Sequence, residues 1–289
     1  MNEPIKGIAA MGLACVIWGL SPLFYALLKH MPPMDILAHR TVWSLVFFLI
    51  VLLLQRRVRA LFSALKPGRS LWMIAAASIL ISVNWFGFIY SIQVGRALEA
   101  SLGYYIFPLA AVALGRLVLG ELLSFFQWVA VGIAVLAVIV LTVGLGVAPW
   151  IALHLAITFG LYGLLKKQLE IGPMVSVAAE VALLLPLAVF WLLGWGQSGG
   201  VDPTTFGLLV LSGPLTGGPL MLMSFAAKRV RLSTIGVVQY LNPTLQFACA
   251  AIVFAETITR WHMIAFPMIW LALAIYSGAT VIQDRRNRA

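Results

Sequence analysis

Polarity along the chain changes in long blocks. Ten stretches of apolar residues alternate with short polar connectors, at about 5–28, 35–55, 71–93, 99–118, 124–144, 148–166, 174–195, 206–226, 233–254 and 261–282. A bilayer core of ~30 Å is crossed by about twenty residues of helix. Lipid offers no partner to an open backbone, and these runs are too long and continuous for barrel strands. Each stretch therefore predicts a transmembrane helix, and the expected fold is all-α and integral to a membrane, with ten spans. The first stretch follows Lys6 and could imitate a secretory leader, but the apolar segments behind it make it a retained span.

The pattern repeats. Leu98-Glu99-Ala100-Ser101-Leu102-Gly103-Tyr104-Tyr105-Ile106-Phe107-Pro108 has a counterpart in Ser233-Thr234-Ile235-Gly236-Val237-Val238-Gln239-Tyr240-Leu241-Asn242-Pro243. A shift of 135 residues aligns Arg96 with Arg231, Ser101 with Gly236, Tyr105 with Tyr240, Pro108 with Pro243 and Glu121 with Glu256. A weaker match sets Tyr25-Ala26-Leu27-Leu28-Lys29 against Tyr162-Gly163-Leu164-Leu165-Lys166. Five stretches lie in residues 1–146 and five in 147–289, and an odd number per half turns the second half upside down. The expectation is a 5+5 inverted repeat of two five-helix units, an arrangement of secondary transporters with a midplane site.

Composition agrees. Hydrophobic residues make up 62% and charged residues 10% of 289, and mean hydropathy is +1.03. A soluble domain carries about 25% charge. Little chain remains for a separate soluble domain. Cys15 and Cys249 both fall inside apolar stretches and read as small packing residues.

The basic residues predict orientation. With the N-terminus inside, fifteen of nineteen face the cytoplasm: Lys6, Arg56, Arg57, Arg59, Lys66, Arg69, Arg116, Lys166, Lys167, Lys228, Arg229, Arg231, Arg285, Arg286 and Arg288. Only Lys29, Arg40, Arg96 and Arg260 remain outside. The positive-inside rule then puts both termini in the cytoplasm. This asymmetry accounts for the net charge of +10. The basic connector Arg56–Arg69 suits anionic lipid rather than nucleic acid.

Residues three or four apart share a helix face. Polar and aromatic stripes at that spacing mark Trp18, Ser21, Pro22 and Tyr25; Asn84, Phe88 and Ser91 beside Trp85; Ser101, Tyr104, Tyr105 and Pro108; Thr158, Phe159 and Tyr162; and Gly236, Gln239, Tyr240 and Pro243 beside Asn242. Amides do not belong against lipid, so Asn84, Gln239 and Asn242 face protein. They can act as interhelical glue or line a cavity with aromatic walls. The candidate substrate-binding residues are Trp18, Tyr25, Asn84, Trp85, Phe88, Ser101, Tyr104, Tyr105, Phe159, Tyr162, Gln239, Tyr240 and Asn242.

Candidate coupling or gating residues are few. Pro108 and Pro243 match across the repeat and break helical hydrogen bonding. Glu180 lies within the seventh stretch, where a charge must face protein or water. Arg96 and Glu99 have ion-pair spacing. His39 and Arg40 fall in the first turns of the second helix, on the outer side of the membrane. Gly213 and Gly217 carry the Gly-x-x-x-Gly spacing of closely packed helices.

Several motifs resemble a known family: Trp18-Gly19 followed by Pro22, His39-Arg40 with Trp43-Ser44, Asn84-Trp85, Leu98–Tyr104 with Pro108, and Arg231–Thr234 with Gln239-Tyr240 and Pro243-Thr244. Together with the ten-helix repeat they resemble the drug/metabolite transporter superfamily, its EamA branch, and within that the RarD or chloramphenicol-sensitivity subgroup. The resemblance covers nearly the whole chain. It implies a permease of the bacterial inner membrane, working by alternating access through a cavity built from helices 1, 3, 4, 6, 8 and 9. It also brings amino acids, peptide-like compounds and chloramphenicol into scope as solutes.

The expected partners are a small organic solute and membrane lipids, with no nucleic acid and with a monomer or homodimer as the unit. No cofactor or metal is implied. An integral-membrane enzyme acting on lipid is the alternative, and its usual signatures are missing. The nine carboxylates are scattered, His30, His39, His154 and His262 lack ligand spacing, and no Gly-x-Ser-x-Gly elbow occurs. A bare phosphate or polyanion is disfavoured because no basic cluster is expected at mid-membrane.

Overall fold

A computed structural model describes residues 3–120, 123–146, 148–196, 201–230 and 232–286. The described residues are helical, with no strand among them. The chain opens with α1 (Glu3–Gly19) and α2 (Ser21–Leu27), separated at Leu20. Pro22 has no N–H, so the carbonyl four residues back, Trp18, loses its helical donor. The Ser21 hydroxyl supplies one instead, at 2.6 Å. The first predicted span is thus one broken helix, repaired as membrane helices require.

Next come α3 (Pro33–Leu54), α4 (Val58–Ala64), α5 (Arg69–Gln93), α6 (Ala97–Leu119) and α7 (Phe125–Leu145). The second part holds α8 (Trp150–Lys167), α9 (Pro173–Gly194), α10 (Pro203–Ala227), α11 (Leu232–Gln239), α12 (Leu241–Ala248), a π-helical turn (Cys249–Val253) and α13 (Arg260–Arg286). The short α4 was not foreseen. It buries Leu61 and Ala64 and leaves Arg59 and Phe62 exposed, which makes the basic connector a surface helix. Among the described residues, eight helical segments are long and apolar enough to cross a membrane. A shorter apolar stretch runs over Val237–Val253. Glu121 and Arg231, two members of the predicted repeat, lie outside the described residues.

α3 packs against both α9 and α10, α6 lies along α8, α7 along α13, α1 against α10 and α12, and α5 against α8 and α9. Glycine sets the closest approaches. A methyl group built on Gly213 would sit 2.3 Å from the Trp43 carbonyl oxygen, and one on Gly217 would sit 2.3 Å from the Phe47 ring. The Gly-x-x-x-Gly spacing therefore seats α10 on α3.

Helix ends gather at two poles. At one, Arg229 Nε donates to Glu3 Oε2 at 2.8 Å, and Gly172 lies beside Arg57. This pole carries Lys6, Arg56, Arg57, Arg59, Lys166, Lys228 and Arg229. At the opposite pole His30 meets Thr205 at 3.0 Å, and Gln93 Nε2 donates to the Met31 carbonyl at 2.7 Å. There Trp191 Nε1 also donates to Asp35 Oδ1 at 2.7 Å.

Candidate functional site

The bundle encloses a cavity of about 660 Å³. Its walls come from α1, α2, α3, α5, α6, α8, α9, α10, α11, α12 and α13. The aromatic part is formed by Trp18, Tyr25, Trp85, Phe88, Tyr104, Phe107, Phe159, Tyr162, Tyr240 and Tyr276. The rings contact one another edge-on: Tyr25 with Phe88 at 5.8 Å between centroids, Phe88 with Tyr104 at 5.8 Å, and Tyr104 with Phe159 at 5.9 Å. Such edge-to-face contacts hold rings in fixed orientations.

Lys166 and Gly163 near the end of α8, Pro173 at the start of α9 and Met223 near the end of α10 also line the cavity. It therefore extends toward the basic pole. The opposite pole is packed with Leu28, Ile36, Ile92 and Leu98, all at most 4% exposed. Glu256, ahead of α13, closes it further, accepting the backbone N–H groups of Ala97 at 2.7 Å and Leu98 at 2.8 Å. Burial pushes the Glu256 carboxyl above its ordinary value, and those two N–H groups oppose the shift.

Eleven of the thirteen sequence-derived binding residues line this space: Trp18, Tyr25, Asn84, Trp85, Phe88, Tyr104, Phe159, Tyr162, Gln239, Tyr240 and Asn242. Two do not. The Ser101 hydroxyl turns back onto its own helix, donating to the Leu98 carbonyl at 2.8 Å. Tyr105 stands one residue, and so about 100° of helix, away from Tyr104. It pairs with the Thr244 hydroxyl at 2.7 Å and packs on Phe266 and Trp270.

Asn84 is both wall and glue. Its amide nitrogen donates to the Leu155 carbonyl at 3.0 Å and to Thr158 Oγ1 at 2.9 Å, while Oδ1 accepts from the Tyr104 hydroxyl at 3.2 Å. One amide thus ties α5 to α8 and α6. Gln246 Nε2 donates to Asn242 Oδ1 at 3.0 Å, which fixes the two amides of α12 against each other.

Of the gating candidates, Pro108, Pro243 and Arg40 reach the cavity. Arg40, expected in the first turns of its helix on the outer side of the membrane, points into the bundle. It is 7% exposed, its guanidinium lies 4.0 Å from the Trp85 ring centroid, and its Nε donates to Thr216 Oγ1 at 3.0 Å. Rotation about the helix axis, invisible to a count of charges along the chain, turns it inward. Glu180 is fully buried behind the wall. It accepts from Lys166 Nζ at 2.6 Å, Ser176 Oγ at 2.9 Å and Tyr162 Oη at 3.0 Å. Arg96 and Glu99 form an ion pair at the start of α6, away from the cavity, with the Arg96 guanidinium over the Trp150 ring. His39 lies outside the lining.

Residues not singled out from the sequence complete the wall, among them Phe107, Lys166, Thr216, Gln246, Tyr276 and Ser277. Phe107 follows Tyr104 by three and Gln246 follows Asn242 by four, so helical spacing could have found both. Lys166 was counted among the cytoplasmic charges, and Tyr276 and Ser277 carried no signal.

A family model described as the EamA-like transporter family matches residues 5–143. The chain is 42% identical to Protein RarD of Streptomyces exfoliatus, over 100% of this chain and 93% of that protein. It is 38% identical to the transporter YojE of Bacillus subtilis, over 99% and 98%. It is 35% identical to Protein RarD of Escherichia coli, over 98% and 97%. A crystal structure aligns over 96% of this chain and 98% of its own with a TM-score of 0.62 at 18% identity, a likeness of fold alone.

Proposed function

The chain belongs to the EamA-like transporter family, in its RarD subgroup, and from that premise we propose that it is a secondary transporter of the bacterial inner membrane that moves a small organic solute by alternating access. Membrane transport itself follows from the family and from the apolar helices. The observation that carries the finer reading is the cavity of about 660 Å³ inside an apolar bundle. It extends toward one pole and is packed shut at the other, a shape that suits a carrier facing a single side.

Ten crossings fit this bundle. The eight long spans are joined by α8 and by the segment built from α11, α12 and the π-helical turn. The family unit, residues 5–143, ends where the first five-helix half does. The packing also respects the repeat. Exchanging each helix with its counterpart carries α1 with α10 onto α8 with α5, α6 with α8 onto α12 with α1, and α3 with α10 onto α9 with α5; each is an observed contact. The pairs α7 with α13, α3 with α9 and α6 with α12 map onto themselves. This supports residues 1–146 and 147–289 as inverted halves. The basic pole is the cytoplasmic one by the positive-inside rule, with both termini there, and the cavity is then open inward.

The solutes in scope are metabolites and drug-like compounds, including amino acids, peptide-like compounds and chloramphenicol. Trp18, Tyr25, Trp85, Phe88, Tyr104 and Phe159 offer apolar faces, and Gln239 and Asn242 orient polar groups. The unit is a monomer or homodimer.

Solute uptake into proteoliposomes tests the proposal, with amino acids, short peptides, small aromatic carboxylates and phenicol drugs screened with and without a proton gradient. Saturable uptake lost in Trp85→Ala is the expected result. Uptake of every solute no faster than in empty liposomes would count against it. Orientation is read by single cysteines at Arg69 and Lys29. A membrane-impermeant thiol reagent applied to intact cells should label the second and spare the first.

A further inference from the structure

We propose that the solute carries a carboxylate and that Arg40 receives it; this rests on the transport reading above and names the chemistry of the solute. Arg40 projects from α3 into the cavity wall. Among the described residues no carboxylate lies within ion-pair distance of it, and its hydrogen bonding consists of the single bond from Nε to Thr216 Oγ1. Both Nη atoms are left without a partner on a residue that lines the cavity. A guanidinium withdrawn from water is costly unless it is paired, so a site that keeps one unpaired is a site completed by an anion.

The arrangement is pre-set for that role. Thr216 donates its own proton to the Ser212 carbonyl at 2.9 Å, which leaves its oxygen free to accept from Arg40. That bond fixes the inner edge of the guanidinium. The Trp85 ring at 4.0 Å and the Tyr25 ring at 5.7 Å hold its plane. The edge formed by the two Nη atoms remains, and it matches the two oxygens of a carboxylate.

The other cation on the wall is spent. Lys166 Nζ sits 2.6 Å from Glu180 Oε1 and bonds Ser176. Arg40 therefore supplies the uncompensated charge of the cavity. Glu180, the carboxylate an ammonium group would need, is already engaged by Lys166, Ser176 and Tyr162. The fit is thus to an anion with an aromatic or apolar body, rather than to a zwitterion or a neutral drug.

The test uses the full-length protein in detergent, with binding read by tryptophan fluorescence quenching. The probes are 3-phenylpropionate and 4-phenylbutyrate, their neutral carboxamides, and phenylalanine. Both carboxylates should bind about tenfold or more tightly than their amides, as loss of a charged hydrogen-bond pair implies. Arg40→Gln should remove that ratio, weakening the carboxylates far more than the amides. Arg40→Lys should keep part of it, having charge without the fork. Thr216→Val guards against a misfolded Arg40 variant. It leaves the charge in place, frees Nε and should lower the carboxylate-to-amide ratio. Equal binding of acid and amide, tighter binding of phenylalanine, no binding of either carboxylate, or a carboxylate preference that survives Arg40→Gln would overturn the proposal. Saturable uptake of neutral solutes alone in the proteoliposome screen would overturn it while leaving transport intact, so the two readings fail separately.

Discussion

Glu256 holds the first turn of α6 from outside, accepting the backbone N–H of Leu98 at 2.8 Å. Its other oxygen takes the N–H of Ala97. The first N–H groups of a helix have no partner within it, and a carboxylate there also meets the positive end of the helix dipole. The cap comes from a segment 158 residues away, so it also staples the sealed pole together. Glu256→Ala should cost about 1.5–3 kcal/mol, the range for hydrogen bonds to charged groups. A cysteine at Ile92, 1% exposed at that pole, should become reactive in the same variant. Thermal unfolding and thiol labelling check the two effects.

The Lys166–Glu180 pair predicts a non-additive result. Glu180 is fully buried and the Lys166 side chain is 20% exposed. Lys166→Met leaves the buried Glu180 carboxylate without its cation and should destabilise by about 3–5 kcal/mol, whereas Lys166→Met with Glu180→Leu should recover much of that loss. A double-mutant cycle on thermal midpoints measures the difference. Equal losses in the single and double variants would refute the pairing.

The glycines of α10 separate into two kinds. Gly213→Ala puts a methyl group against the Trp43 carbonyl, with backbone on both sides and nothing flexible to yield. A loss of about 1–3 kcal/mol is expected for overpacking of this sort. Gly218→Ala, with nothing within 4 Å of the new atom, should be neutral or stabilising, because alanine is the better helix former.

Asp202 supplies a pH-dependent term. It caps α10, accepting from the N–H groups of Thr204 at 2.9 Å and Thr205 at 3.0 Å. The hydrogen bonds from Thr205 lead in holding its pKa below the ordinary 3.8. A carboxyl depressed in the folded state adds stability above its ordinary value and loses it as pH falls through the lowered one. Asp202→Ala should therefore melt earlier than the parent at neutral pH, and the two curves should converge below about pH 3.8. A constant gap down to pH 2 would rule out the cap as the source.

Much of this molecule is readable from its sequence because span length and apolarity are properties of one segment at a time. Helical spacing then found most of the wall, since Trp18, Asn84, Tyr104, Phe159 and Gln239 need only face inward to reach the cavity. What escaped depends on pairs far apart. Arg40 finds Thr216 at 176 residues' distance, and no local rule predicts that its guanidinium turns inward. Tyr105 shared a stripe with Tyr104 in the linear pattern, yet the turn of the helix gives it to Phe266 and Trp270. The break at Leu20 was implicit in Pro22, while the π-helical turn at Cys249–Val253 has no comparable signal.

Pro108 and Pro243 occupy matching places in the sequence repeat, but their surroundings differ. α6 runs unbroken across Pro108, whereas the chain around Pro243 is divided into α11, α12 and a π-helical turn. Under the inverted-repeat reading, one sequence motif holds two shapes at once. On that reading, reversing the carrier is an exchange of shapes between the halves, which brings the conformational energies of its two states close together. A gap of a few kcal/mol would leave the minor state at a few per cent or less. On the same reading, two states related by a pseudo-two-fold exchange of the halves keep such a gap small, and the bound solute acts chiefly on the barrier between them.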